Sequence, residues 1–208
     1  MKTLALITAR AGSKRIPHKN HVLLAGKSLY QWTTELTLLD AVSTVAFSSD
    51  NVEKFHLPIK CIVVDRPKEL AQDDTKHGPV IIHGLLEVER RLAETFDYVM
   101  LLQPTNPGRT MDEVERAVDL CKESSTDFLY CYYEDENLNY NYIVSNVDPS
   151  QPVTVKSGCV YMYSRQYIVS GFDLKNGFIA MKVTKTRGYN INVPQDIYIQ
   201  EALWRSGE

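Results

Sequence analysis

A chain of 208 residues with 44% apolar and 24% charged side chains can bury one full core, and a formal net charge of −3 argues against a nucleic-acid binder. The opening "MKTLALITARAGSKR" holds an apolar run too short for a secretory signal or a membrane span, so a cytoplasmic location without a membrane partner is expected. Cys61, Cys121, Cys131 and Cys159 lie scattered without metal-ligand spacing, which excludes a zinc framework and predicts reduced, mostly buried thiols.

In chain order, "TLALIT" (3–8) reads as a buried strand and runs straight into "ITARAGSKRIPHKN" (7–20), which gathers Arg10, Lys14, Arg15, His18 and Lys19. "AGKS" (25–28) ends like a Walker A loop, but that motif needs a glycine where this chain has His21. Apolar spacing of three and four predicts helices over 28–39, 78–93 and 111–123. Short β-branched or aromatic runs predict strands at 42–48, 59–65, 97–103 and 128–134. Five of the twelve tyrosines fall within 130–142, and a turn-rich stretch then leads to strands at 158–164 and 178–183. The chain closes on a helix whose start is marked by Pro194. With no repeat or linker, the expectation is one domain over 1–208, with a small antiparallel arm at about 131–157 that returns to it.

The alternation of strand and helix implies an α/β domain with a largely parallel sheet covered on both faces. Ligands of such sheets bind beyond the carboxyl ends of the strands, which places the basic loop, "SSD" (48–50) and "QPTNPGRT" (103–110) on one rim. A loop containing Gly12 and Ser13 can turn N–H groups toward an anion while Lys and Arg neutralise phosphate charge. In the second loop two prolines stiffen a turn that presents Gln103, Thr105, Asn106 and Arg109. The side-chain amide of Gln103 suits a base edge or a sugar hydroxyl.

Together, "ARAGSKRIPHKN", "LAGKSLYQWTTE", "FSSD", "RPKELAQDDT", "LLQPTNPGRT" and "NINVPQD" resemble, in order and spacing, the acylneuraminate cytidylyltransferases. The resemblance covers residues 1 to about 110 and returns over about 158–205. It implies a three-layer α/β/α nucleotidyltransferase fold, Rossmann-like with a mostly parallel sheet and a short antiparallel dimerisation arm, working as a homodimer. The implied reaction is CMP transfer from CTP to the anomeric hydroxyl of a nonulosonic, 3-deoxy-2-keto sugar acid, with release of pyrophosphate. By the same resemblance Arg10, Lys14, Lys19 and Gln103 are catalytic. Arg10, Ala11, Gly12, Ser13, Lys14 and Asn20 bind the nucleotide, together with Ser49, Asp50 and Arg66. Gln103, Thr105, Arg109 and Asp73 contact the sugar side.

The chain departs from the family pattern at several positions. Asn190 and Asn192 stand where two metal-holding aspartates are usual, so a weakened Mg²⁺ site at Asn190, Asn192 and Asp196 is expected. Ala11 replaces a Gly or Gln and Gly108 a Leu, and the stretch before "SGCVY" lacks the family's Arg-Arg-Gln segment. A catalytically impaired nucleotide-binding homologue serving as a partner subunit is the alternative reading.

Overall fold

The computed structural model describes residues 1–36, 42–135 and 153–206. In chain order they form β1 (Thr3–Thr8), the two-residue strands β2 (Leu23–Leu24) and β3 (Lys27–Ser28), α1 (Leu29–Leu36), β4 (Thr44–Ser49) and β5 (Cys61–Asp65). Next come α2 (His77–Leu92), β6 (Tyr98–Leu102), α3 (Met111–Ser124), β7 (Phe128–Asp135) and β8 (Val153–Ser164). The last elements are α4 (Arg165–Val169), β9 (Phe178–Lys182), α5 (Lys185–Gly188) and α6 (Gln195–Ser206).

Seven strands make one sheet in the order β5-β4-β1-β6-β8-β7-β9. β1 pairs parallel with β4 and β6, and β4 with β5, so their carboxyl ends share one rim. β8 runs antiparallel to both of its neighbours, and β9 returns parallel to β7. β1 is buried on both faces, which is why its sequence reads as a continuous apolar run. Leu4 and Leu6 point into a core with Ile81, Leu85 and Val88 of α2. Ala5 and Ile7 point the other way, into a core with Tyr30 of α1 and Val114 and Ala117 of α3. Helices therefore cover both faces, giving the three layers that the alternation implied.

The "AGKS" segment forms the tight turn between β2 and β3, with positive φ at Ala25 (48°) and Gly26 (84°), as a primed hairpin turn requires. β8 begins five residues before the expected strand, because residues 153–157 pair with 131–135. The register jumps from Tyr130 opposite Tyr161 to Cys131 opposite Ser157, so the residues between are bulged. Both flanks of the expected arm thus extend the main sheet, and its centre, 136–152, lies outside the described residues, as do Tyr140 and Tyr142. α1 ends at Leu36, and the rest of the expected helix, 37–39, also lies outside them.

Candidate active site

The basic loop leaves β1 at the carboxyl rim and is tied down along its length. Ala9 N–H donates to the Ser48 carbonyl at 3.0 Å, and Ala11 N–H donates to Asp50 Oδ1 at 2.7 Å. Asn20 Nδ2 donates back to the Arg10 carbonyl at 2.9 Å, which closes the loop on itself. The chain turns at His18 (φ 52°) into a short 3-10 turn at Lys19–His21. Ile16 drops into an apolar cluster with Leu24, Leu29 and Ile191, and the His21 ring stacks on Phe55 at 4.7 Å. These anchors leave the polar side chains between them facing outward.

What they face is a cleft of about 570 Å³. Arg10, Lys14, Arg15, Lys19 and Arg66 bring positive charge to its wall, together with Gly12 and Ser13 of the loop. Asp73 is the carboxylate lining it among the described residues, and it is engaged: Arg10 Nη1 and Lys14 Nζ each lie 2.5 Å from one of its oxygens. The Lys14 and Arg10 hydrogen bonds hold the Asp73 carboxyl below the ordinary carboxylate range. Arg66 comes from the segment after β5, where its Nε donates to Ser48 Oγ at 3.1 Å and its Nη2 to the Ser48 carbonyl at 2.5 Å. Burial pushes its pKa down to about 10, against the nearby charge of Asp50, so it stays charged at neutral pH. Lys19 donates to the Ile191 carbonyl at 3.2 Å, which joins the basic loop to the loop before α6. Burial, then the charges of Arg15 and Arg10, lower its pKa. A wall with such an excess of donors and positive charge can hold a polyanion.

Gln103, Thr105 and Asn192 line the same cleft, but other expected site residues do not. Asp50 and the Ala11 N–H bond each other, and Ser49 is fully buried, its Oγ accepting from Asn51 N–H at 3.2 Å. Arg109 is 5% exposed and turned inward, donating to the carbonyls of Gln103 and Asn106, so it clamps the 103–109 turn from behind. The prolines stiffen this turn and the guanidinium closes it. Gly108 also has a reason to be glycine: a Cβ there would lie 2.1 Å from the Thr186 carbonyl oxygen, which leaves no room for leucine.

The residues expected to hold Mg²⁺ do not fit a cation. Asp196 Oδ2 accepts the N–H groups of Asn192 (2.6 Å) and Val193 (2.9 Å), and its Oδ1 accepts the Tyr189 hydroxyl at 2.9 Å. Its carboxylate is thus spent on fixing the loop at the start of α6. Asn190 Oδ1 accepts from Asn106 Nδ2 at 3.3 Å and lies outside the cleft lining. Asn192 is in the cleft but brings no charge, and no cluster of three His, Cys, Asp or Glu suited to a metal occurs among the described residues.

His77, the first residue of α2, also lines the cleft, although no motif in the chain marks it as a site residue. Its Nε2 lies 3.3 Å from Gln103 Nε2. Loss of water around the ring in the cleft wall, then the charges of Arg66 and Lys156, lower its pKa from 6.5. The signal was "TKHGP", a polar run ending where the helical periodicity begins, but a polar residue there reads equally well as a helix start. Lys156, on β8, rests over the rings of Phe128, Tyr130 and Tyr161 at 5.1–5.4 Å.

A family model described as cytidylyltransferase matches residues 4–152. The CMP-N,N'-diacetyllegionaminic acid synthase of Legionella pneumophila is 33% identical over 129 residues, covering 59% of this chain and 54% of that protein. A pseudaminic acid cytidylyltransferase of Campylobacter jejuni is 30% identical over 140 residues, covering 65% of this chain and 60% of that protein. The chain thus spans little more than half the length of these curated relatives. Among solved structures, CMP:2-keto-3-deoxy-manno-octonic acid synthetase complexed with CTP aligns with a TM-score of 0.69 at 16% identity, covering 100% of both chains. A Mycobacterium tuberculosis protein in complex with manganese aligns at 0.62 and 11% identity, covering 97% of this chain and 99% of that one. At these identities the likeness is one of fold.

Proposed function

The chain belongs to the cytidylyltransferase family, and from that premise we propose that it transfers CMP from CTP to the anomeric hydroxyl of a nonulosonic sugar acid, releasing pyrophosphate. The observation that carries this reading is the basic loop after β1, held by Asp50 and Asn20 so that Arg10, Ser13 and Lys14 face one cleft at the rim of a parallel sheet. The names of the relatives, a legionaminic acid synthase and a pseudaminic acid cytidylyltransferase, support a sugar acid of that class as acceptor.

In this reading the triphosphate lies along the basic loop. Lys14 and Arg10 leave Asp73 for phosphate oxygens, and Lys19 and Arg66 add positive charge beside them. Fixed cations and backbone N–H groups cost no reorganisation as charge moves onto the departing pyrophosphate, which is where such a site lowers the barrier. Gln103 and Thr105 offer hydrogen bonds on the acceptor side. A divalent ion would have to be held by the triphosphate rather than by Asn190, Asn192 and Asp196, and would supply positive charge at the phosphates. The reaction is assigned to the cytoplasm, where CTP is made. The protein is further proposed to pair as a homodimer through the arm at about 131–157; a monomer mass in sedimentation at micromolar concentration would refute that pairing.

Incubation with CTP and a panel of acceptors (legionaminate, pseudaminate, N-acetylneuraminate and Kdo), read by mass spectrometry, tests the transfer. A CMP-linked product with one of them is expected, and intact CTP across the panel would contradict the reading.

A further inference from the structure

The transfer proposed above needs a group that takes the proton of the attacking hydroxyl, and most of the obvious bases are committed. Asp73 is held by Arg10 and Lys14, Asp50 by the Ala11 N–H, and Asp196 by three donors. Asn190 and Asn192 are amides and have no basic site. Of the groups that line the cleft among the described residues, His77 alone has an ordinary pKa near neutrality.

Its placement suits the task. His77 opens α2 beside Gln103, and its ring is accessible from the cleft. In the tautomer protonated at Nδ1 the ring offers a lone pair at Nε2, toward which the Gln103 amide nitrogen, 3.3 Å away, can donate. At that length the contact is weak, and a hydroxyl can replace the amide as donor. The charged groups that face the ring are Arg66, from the segment after β5, and Lys156, on β8, while Asp73 in the preceding turn is neutralised by its own partners. Both cations, and the positive end of α2, disfavour a second proton on the imidazole.

We propose that His77 is the general base of the transfer, a role that rests on the cytidylyltransferase reading. The O–H bond of the anomeric hydroxyl breaks and its proton passes to His77 Nε2. The freed electron pair of that oxygen forms the bond to the α-phosphorus. The bond from the α-phosphorus to the bridging oxygen breaks, and its pair leaves on pyrophosphate. His77 then gives up its proton to solvent through the open cleft.

The test compares the wild type with His77→Gln and His77→Asn, measuring kcat and KM for the acceptor between about pH 5 and 9 and CTP affinity by calorimetry. A base of lowered pKa is neutral at pH 7, so wild-type kcat holds down to a pH below 6.5 and falls as the imidazole protonates. Both variants are expected to lose kcat by about 10²- to 10⁴-fold and to lose this acid limb. Their CTP Kd should stay within about threefold of the wild type. A kcat within about threefold of wild type, an acid limb that persists in the variants, or a loss confined to CTP affinity would each overturn the role. A wild type that binds CTP yet forms no product with any sugar acid would overturn the transfer reading itself, and His77 as its base with it.

Discussion

Asp73 shows how a single side chain can be read in two ways. Its place beside the basic loop points to a substrate contact, yet in the structure its two oxygens are taken up by Arg10 and Lys14 at 2.5 Å each. A carboxylate that satisfies the phosphate-loop cations is a competitor of phosphate. Asp73→Asn is therefore expected to tighten CTP binding by about two- to tenfold, the scale of two solvent-screened ion pairs. Calorimetry decides: weaker binding in the variant would mean that Asp73 itself serves the ligand. At this scale much of the cleft was legible, because Arg10, Lys14, Lys19, Asn20, Arg66, Gln103 and Thr105 all line it. Ser49, Asp50, Arg109 and Asp196 were not separable from them in the sequence. A polar residue at a strand end can face the ligand or brace the loop behind it, and residue type and spacing are the same in both cases. Only the fold shows that Arg109 looks inward to two carbonyls, or that Asp196 is used up by the backbone of 192 and 193.

Among the elements, α3 ties the site to the core. Thr110 and Glu113 form a reciprocal capping box at its start, with Glu113 Oε2 accepting the Thr110 N–H at 2.7 Å. The cap lies directly after the 103–109 turn that Arg109 clamps, so one junction fixes both the helix and Gln103. Thr110→Ala is expected to cost about 1 kcal/mol, lowering the melting temperature by about 2–4 °C in a thermal scan. An unchanged midpoint would mean that tertiary packing, not the cap, sets the end of α3. The strands of the parallel half were legible because burial on both faces leaves continuous apolar runs. The start of β8 was hidden, because "VTVKS" alternates polar and apolar residues like any half-exposed segment, and the bulge that brings it opposite β7 has no signature in residue type.

For the whole molecule, the sheet topology gathers its functional residues on one rim. β1, β4, β5 and β6 run parallel, so the segments that follow them, bearing the basic loop, Asp50, Arg66 and Gln103, converge at their carboxyl ends. The antiparallel β8 enters the same rim from the other direction and brings Lys156 near His77. A net charge of −3 with cations concentrated in this cleft directs anions to one place on an otherwise acidic surface. The acceptor, by contrast, was readable only as a class, because the chain between 136 and 152 lies outside the described residues and its relatives use different sugar acids. Transfer of CMP in this cleft is tested most directly by pyrophosphate release from CTP in the presence of each sugar acid, by the wild type and by Lys14→Ala. Release by the wild type with one acceptor, reduced about tenfold or more in the variant at limiting CTP, is the result predicted. Release that is absent from the wild type, or unaffected by loss of Lys14, would contradict it.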